Sequence, residues 1–279
     1  MGINSRTVLF SSAAIAAFGA CMAGVPMAMA TTTATPTTII SDTFPASQGV
    51  GAGSYLQGAT PDVGPAGSTW TTHFYNSTTS VYSTPTSAQA PFINQIGSSG
   101  NYAAYFPNSS GGDVDAAIPF TPSGNGILTL TATLYYPGSD GWVALGFANS
   151  AATADPYGQS GPWAYLDAGG GLNPGGVIHG YVNSHTNTVT LTFNPVTLVE
   201  TFSGPTLTSG TPVTLTETLT SAPTINSIFF AQRGISGGYF SNVTLTPGPE
   251  QAVPEPASWG LLGLGGVAGL MLLRRRKLA

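Results

Sequence analysis

The sequence predicts an all-β fold, an antiparallel two-sheet sandwich of concanavalin-like jelly-roll type, and three observations carry that expectation. Leu128, Leu130, Ala132 and Leu134 alternate with Thr129, Thr131 and Thr133, and similar alternation runs through Val189–Phe193 and Val213–Leu219. Turn clusters rich in Gly, Pro, Asn and Ser separate such stretches, as at 108–112 and 137–141. No helical period of useful length appears before Trp259. Period two places one strand face in a core and the other in water. Threonine suits the outward positions because its β-branch fits a pleated surface. About thirteen short strands with no self-similar block favour a sandwich over a solenoid.

In chain order, residues 1–30 read as a secretory signal peptide. Arg6 supplies the positive end, Thr7–Gly19 the apolar core, and Ala28-Met29-Ala30 the small-x-small cleavage site. Phe18-Gly19-Ala20-Cys21 approaches a lipobox, but Phe18 stands where a branched aliphatic is expected. Residues 31–38 form a Thr/Pro leader.

The body, 39–246, is long enough for one sandwich domain. Further strands are expected at Thr38–Phe44, Thr69–Tyr75, Tyr102–Phe106, Val114–Phe120, Trp142–Phe147, Trp163–Leu166, Val177–Val182, Val196–Phe202, Ile225–Ala231 and Tyr239–Leu245. Residues 247–252 are a stiff Pro/Gly linker.

Residues 253–279 place a breaker, a greasy run and a cationic stop in that order. Val253-Pro254-Glu255-Pro256 favours an extended backbone. The uncharged run Trp259–Leu273 spans roughly 22 Å as a helix, somewhat short of the ~30 Å hydrocarbon core. Ala257 and Ser258 extend it to a transmembrane segment at 257–273. Arg274, Arg275, Arg276 and Lys277 then hold that end in the cytoplasm and leave the preceding chain outside. Gly265 and Gly269 form a small-xxx-small pair that is incidental in so glycine-rich a run.

Charge narrows the partners. From Thr31 to Val253 the only basic residue is Arg233, against ten acids. Nothing there could neutralise phosphates, so nucleic acid is excluded as a partner. The single cysteine, Cys21, lies in the export signal, so the body holds no disulfide framework or thiolate metal site. His73, His179 and His185 show no metal-ligand spacing, and no cofactor is expected.

Several groups could carry chemistry. Asp113 and Asp115 share one strand face and are candidate ligands for calcium, with a solvated turn as the plainer reading. Asp140 and Asp167 abut glycine turns, which they would stabilise. Glu200 and Glu217 fall on the apolar parity of their strands, where a carboxylate is costly unless paired, at an edge or lining a groove. Two such acids could serve glycoside hydrolysis, or one could pair with Arg233 and the other end a strand. Tyr135, Tyr136, Trp142, Tyr157, Trp163, Tyr165 and Tyr181 could form a sugar-stacking platform if several were exposed together; core packing is the plainer reading. The threonine ladders are taken as default uncharged outer-face residues rather than an ice-binding array. No Gly-x-Ser-x-Gly turn is present.

Two resemblances add to this. Val-Pro-Glu-Pro, the short Gly/Leu-rich run and the terminal Arg cluster resemble the PEP-CTERM sorting signal of Gram-negative bacteria. That resemblance implies recognition by an exosortase-type membrane protease, transient residence in the inner membrane, removal of the tail, and delivery to the cell surface or exopolysaccharide matrix. The strand order, opening on Ser41-Asp42-Thr43-Phe44 and closing on Tyr239–Val243, resembles concanavalin-like sandwiches of the legume-lectin type; the Glu-x-Asp-x-x-Glu strand motif of the hydrolases with that fold is absent. The reading is a non-enzymatic exported surface protein, with a carbohydrate-binding module of the matrix as the second possibility and a divergent glycosidase as the third.

Overall fold

The computed structural model describes residues 37–250, except 50–53, 77, 80, 98–99, 108–111, 123, 138–140, 152–160, 168–170, 174–176, 182–184, 205–212 and 235–236; for 167, 171–173, 177–181, 185 and 213 it describes the backbone alone. The chain divides into two compact units, Met1–Ala34 and Thr35–Ala279. The first unit, the signal peptide, the leader to residue 36, the end of the linker and the whole of 253–279 lie outside the described residues. No described helix is long and apolar enough to cross a membrane, and the run at 257–273 lies outside the residues to which that applies.

Among the described residues, sixteen strands form two sheets. The first contains β1 (Ile40–Asp42), β4 (Phe92–Ile96), β5 (Asn101–Tyr105), β7 (Leu128–Tyr136), β12 (His185–Asn194), β13 (Val199–Gly204), β14 (Val213–Thr218) and β16 (Tyr239–Pro247). Its order is β14-β13-β12-β7-β16-β5-β4, with β1 also paired to β16. The second contains β2 (Thr71–Asn76), β3 (Val81–Ser83), β6 (Gly112–Pro119), β8 (Trp142–Ala148), β9 (Trp163–Asp167), β10 (Gly171–Asn173), β11 (Val177–Tyr181) and β15 (Ser227–Arg233), in the order β10-β11-β9-β8-β15-β6-β2-β3.

All thirteen expected strands are present, and pairing is antiparallel except between β9 and β11, which run parallel. Three strands went unread. In β4 the alternation is inverted, because Ile93 is buried while Phe92 and Ile96 keep part of their surface. The trio Val81–Ser83 is too short to show a period, and Gly171–Asn173 reads as a turn because of its glycines. The segment expected to begin at Val196 instead starts with a turn, in which Leu198 takes φ 59 and Val196 is exposed; strand pairing begins at Val199.

The core lies where the alternation directs it. Leu128, Leu130, Ala132, Leu134 and Tyr136 of β7 pack inward against Val143, Leu145 and Phe147 of β8 and Ile228 and Phe230 of β15. Phe44, Trp70, Phe106, Phe230 and Phe240 form its aromatic centre, with Phe230 stacked on Phe240 at 4.1 Å. A bulge in β16 keeps this geometry. Phe240 and Val243 are both buried though three positions apart, and Asn242, at φ 51, takes up the extra residue.

The opening Ser41–Phe44 stretch is fixed by a buried carboxylate. Asp42 Oδ2 accepts the Trp70 indole N–H at 2.7 Å, and Oδ1 accepts the Phe44 N–H at 2.8 Å and the Gln48 amide at 3.2 Å. Burial outweighs these donors and raises its pKa to about 6. Ser41 exchanges two backbone hydrogen bonds with Val63, and Asp62 Oδ2 accepts both the N–H and the hydroxyl of Thr43.

Candidate functional site

The outer face of the second sheet gathers residues that the sequence singled out separately. On β6, Val114, Ala116 and Ile118 face the core, so Asp113, Asp115 and Ala117 share the opposite face; both aspartates are 1% exposed and lie within the strand, not in the solvated turn expected of them. Register sets His73 of β2 beside Asp115 and Arg233 of β15 beside Asp113. His73 Nδ1 lies 2.9 Å from Asp115 Oδ1, and Arg233 Nε lies 3.4 Å from Asp113 Oδ1. Arg233 therefore stands beside an aspartate of this sheet, and not beside Glu200, whose carboxyl oxygens have no hydrogen-bond partner among the described residues. No group of three His, Cys, Asp or Glu that could hold a metal forms among the described residues.

Beside these acids, Trp142, Trp163 and Tyr165 come together with ring centroids 5.4–6.1 Å apart. They are 7%, 4% and 9% exposed and pack with Ala117, Ala144, Phe229 and Ala231 as a second apolar layer. That burial leaves no exposed sugar-stacking platform at this trio. Tyr136 lies in the main core, while Tyr157, Asp140 and the side chains of Tyr181 and Asp167 fall outside the described residues.

The two glutamates do meet. Register places Glu200 directly opposite Glu217 on β14 and, on its other side, opposite Phe193. Glu200 is fully buried, and neither carboxyl oxygen has a hydrogen-bond partner among the described residues. Burial first, then the Glu217 charge, pushes its pKa up to about 8. Glu217 is half-buried at the end of the sheet order. A buried acid whose charged form is disfavoured thus stands beside a partly exposed one.

The first sheet turns a different surface outward. Register aligns Thr216, Thr201, Thr192, Thr129 and Thr246 in one row, and Thr214, Ser203, Thr190, Thr131 and Thr244 in the next. Neighbouring hydroxyls touch, at 3.2 Å for Thr131–Thr190, 3.4 Å for Thr201–Thr216 and 3.3 Å for Ser203–Thr214. A parallel row crosses the same face with aromatic rings: Thr186, Tyr135, Tyr239, Tyr105 and Phe92. Tyr135 stacks on Tyr239 at 4.8 Å and 10°, Phe92 lies 5.2 Å from Tyr105, and the Tyr239 hydroxyl is 2.9 Å from that of Thr186. A cleft of about 580 Å³ adjoins this row, lined by Thr133, Thr186, Tyr239, Ser241 and Asn242 together with Ala46. Of the aromatic row the sequence singled out Tyr135 alone as a candidate. The threonine alternation was visible, but an aromatic row spread over four strands exists only once register is known.

Comparison with known proteins bears on the two ends of this description. Residues 252–277 match the PEP-CTERM protein-sorting motif, so the tail is a sorting motif. No curated protein matches the chain. Among solved structures the chain is similar to a lectin from Bauhinia forficata in complex with GalNAc, at 10% identity, TM-score 0.38 and coverage of 56% of this chain and 90% of that one. Winged bean acidic lectin complexed with methyl-α-D-galactose gives 13%, 0.38, 58% and 92%. The exoplasmic/lumenal domain of VIP36, in a Ca2+/Man2-bound form, gives 9%, 0.41, 79% and 90%.

Proposed function

We propose that this protein is exported, held briefly in the inner membrane by its tail, cut there by an exosortase-type membrane protease, and released to the cell surface or exopolysaccharide matrix, where it acts without enzymatic activity. The observation that carries this reading is the sorting motif at 252–277. Its parts suit the task. Pro254 and Pro256 keep the approach to the membrane extended and free of backbone pairing, which is what a protease cleft needs. The uncharged run holds the chain at the bilayer while Arg274–Lys277 stops transfer. Replacing Pro254 and Pro256 with alanine should leave the protein in the inner-membrane fraction. Unaltered release would count against the reading.

A second reading, a carbohydrate-binding module of the matrix, draws support from the uncharged hydroxyl and aromatic face of the first sheet. The buried Trp142–Trp163–Tyr165 trio does not support it.

A further inference from the structure

A protein that works in a matrix needs a surface that holds it there, and the outer face of the first sheet has a chemistry distinct from the rest of the body. Its described outward side chains along β7, β12, β13, β14 and β16 are threonines, serines, Asn194, Asn242, Val199 and two tyrosines, with no acid or base among them. Thr186, Thr188, Thr214, Thr216 and Thr218 are exposed and Thr129, Thr131, Thr133, Thr190 and Tyr135 are half-buried, while Tyr239 is 9% exposed and backs Tyr135, so the accessible groups are the threonines and Tyr135. At ~4.8 Å per strand, the seven strands from β14 to β4 extend this face over about 29 Å.

We propose that this face binds an uncharged, extended polysaccharide, laid over Tyr135 and across the threonine rows. Three features select that occupant. A face without charge has no means of holding a polyanion such as a uronate polymer, and nothing on it repels a neutral one. Each threonine hydroxyl both donates and accepts, so a row of them can satisfy sugar hydroxyls in either sense. Tyrosine supplies rigid apolar contact with a polar tip, which matches a sugar's C–H patches and hydroxyl edges. The adjoining cleft continues the row: Tyr239, Thr186 and Asn242, the last at φ 51 in the bulge, are among its lining residues. A flat ordered-water array is a poorer match, because a sheet twisting ~20–25° per strand does not keep its hydroxyls in one plane.

This inference rests on the matrix reading above, and its test separates the two. The full-length protein in detergent is run in affinity gels containing a neutral β-glucan, galactan or mannan, and in one containing polygalacturonate. At least one neutral polymer should retard it, and retardation should persist from ~0.1 to ~1 M salt, since screening does not weaken an uncharged contact. Tyr135→Ala should weaken binding about tenfold. The double variant Thr131→Val with Thr190→Val keeps side-chain shape and strand preference, removes two hydroxyls, and should weaken binding severalfold. Trp163→Phe, on the other sheet, should leave binding unchanged. Retardation by polygalacturonate alone, by no polymer, or equally in Tyr135→Ala and the double valine variant would overturn the proposal. Fractionation of the Tyr135→Ala variant in cells reads delivery independently, because the sorting reading requires that it still reach the surface.

Discussion

Glu200 and Glu217 face each other across the β13–β14 ladder, and Glu200 is fully buried with neither carboxyl oxygen hydrogen-bonded among the described residues. Facing it, β12 contributes Phe193 and β14 contributes Glu217, so no described cation offsets its charge. Its pKa rises from 4.5 to about 8, and the folded chain therefore binds more protons than the unfolded one between those values. Stability is fully present below pH 4.5, falls as pH rises, and has lost its whole contribution once pH passes 8. The loss is at most about 5 kcal/mol. Thermal denaturation should show the protein less stable at pH 9 than at pH 6, and Glu200→Gln should remove most of that difference. An equal pH dependence in the variant would contradict this account of the pair.

Asp42 tests the packing of the first strand. Asp42→Ala strips the acceptor from the buried Trp70 N–H and from the Phe44 N–H. Each orphaned donor costs ~1–3 kcal/mol, so a loss of about 3 kcal/mol or more is expected. Asp42→Asn keeps one carbonyl oxygen and should lose less. Near-ultraviolet circular dichroism of the aromatic centre reports whether Trp70 stays in place.

Gly146 has no room for a side chain. A Cβ there would meet Trp163 Cβ and come within 2.7 Å of the Phe229 ring. Gly146→Ala should therefore destabilise by ~1–3 kcal/mol, the usual range for overpacking. Because the displaced partner is an indole, tryptophan emission should shift with it; an unshifted spectrum and an unchanged melting temperature would show that the outer aromatic layer yields freely.

The strands were legible where one face is apolar and the other threonine, because Leu128–Leu134 states its own period. That signal fails at β4, whose outward Phe92 and Ile96 invert the pattern, and in Gly171–Asn173, where glycine looks like a turn. Face assignments carried through to side chains: Asp113 with Asp115 on one face, and Glu200 inward with Phe202, but the aspartates are buried in a strand where a solvated turn was expected. Partners did not carry through, because they depend on which strand lies alongside. Arg233 could have met any acid by sequence, and register alone gives it Asp113. The same holds for the Tyr135–Tyr239 stack, formed by residues over a hundred positions apart. Asp42 gave no signal of its own, since its burial follows from Trp70 and Phe44 closing over it.

Mass spectrometry of the form released from the cell surface tests the central claim most directly. The account predicts a mature chain that begins after Ala30 and has lost the apolar run and its Arg274–Lys277 stop, ending near Val253–Pro256. Recovery of a surface form that still carries Trp259–Ala279 would contradict it.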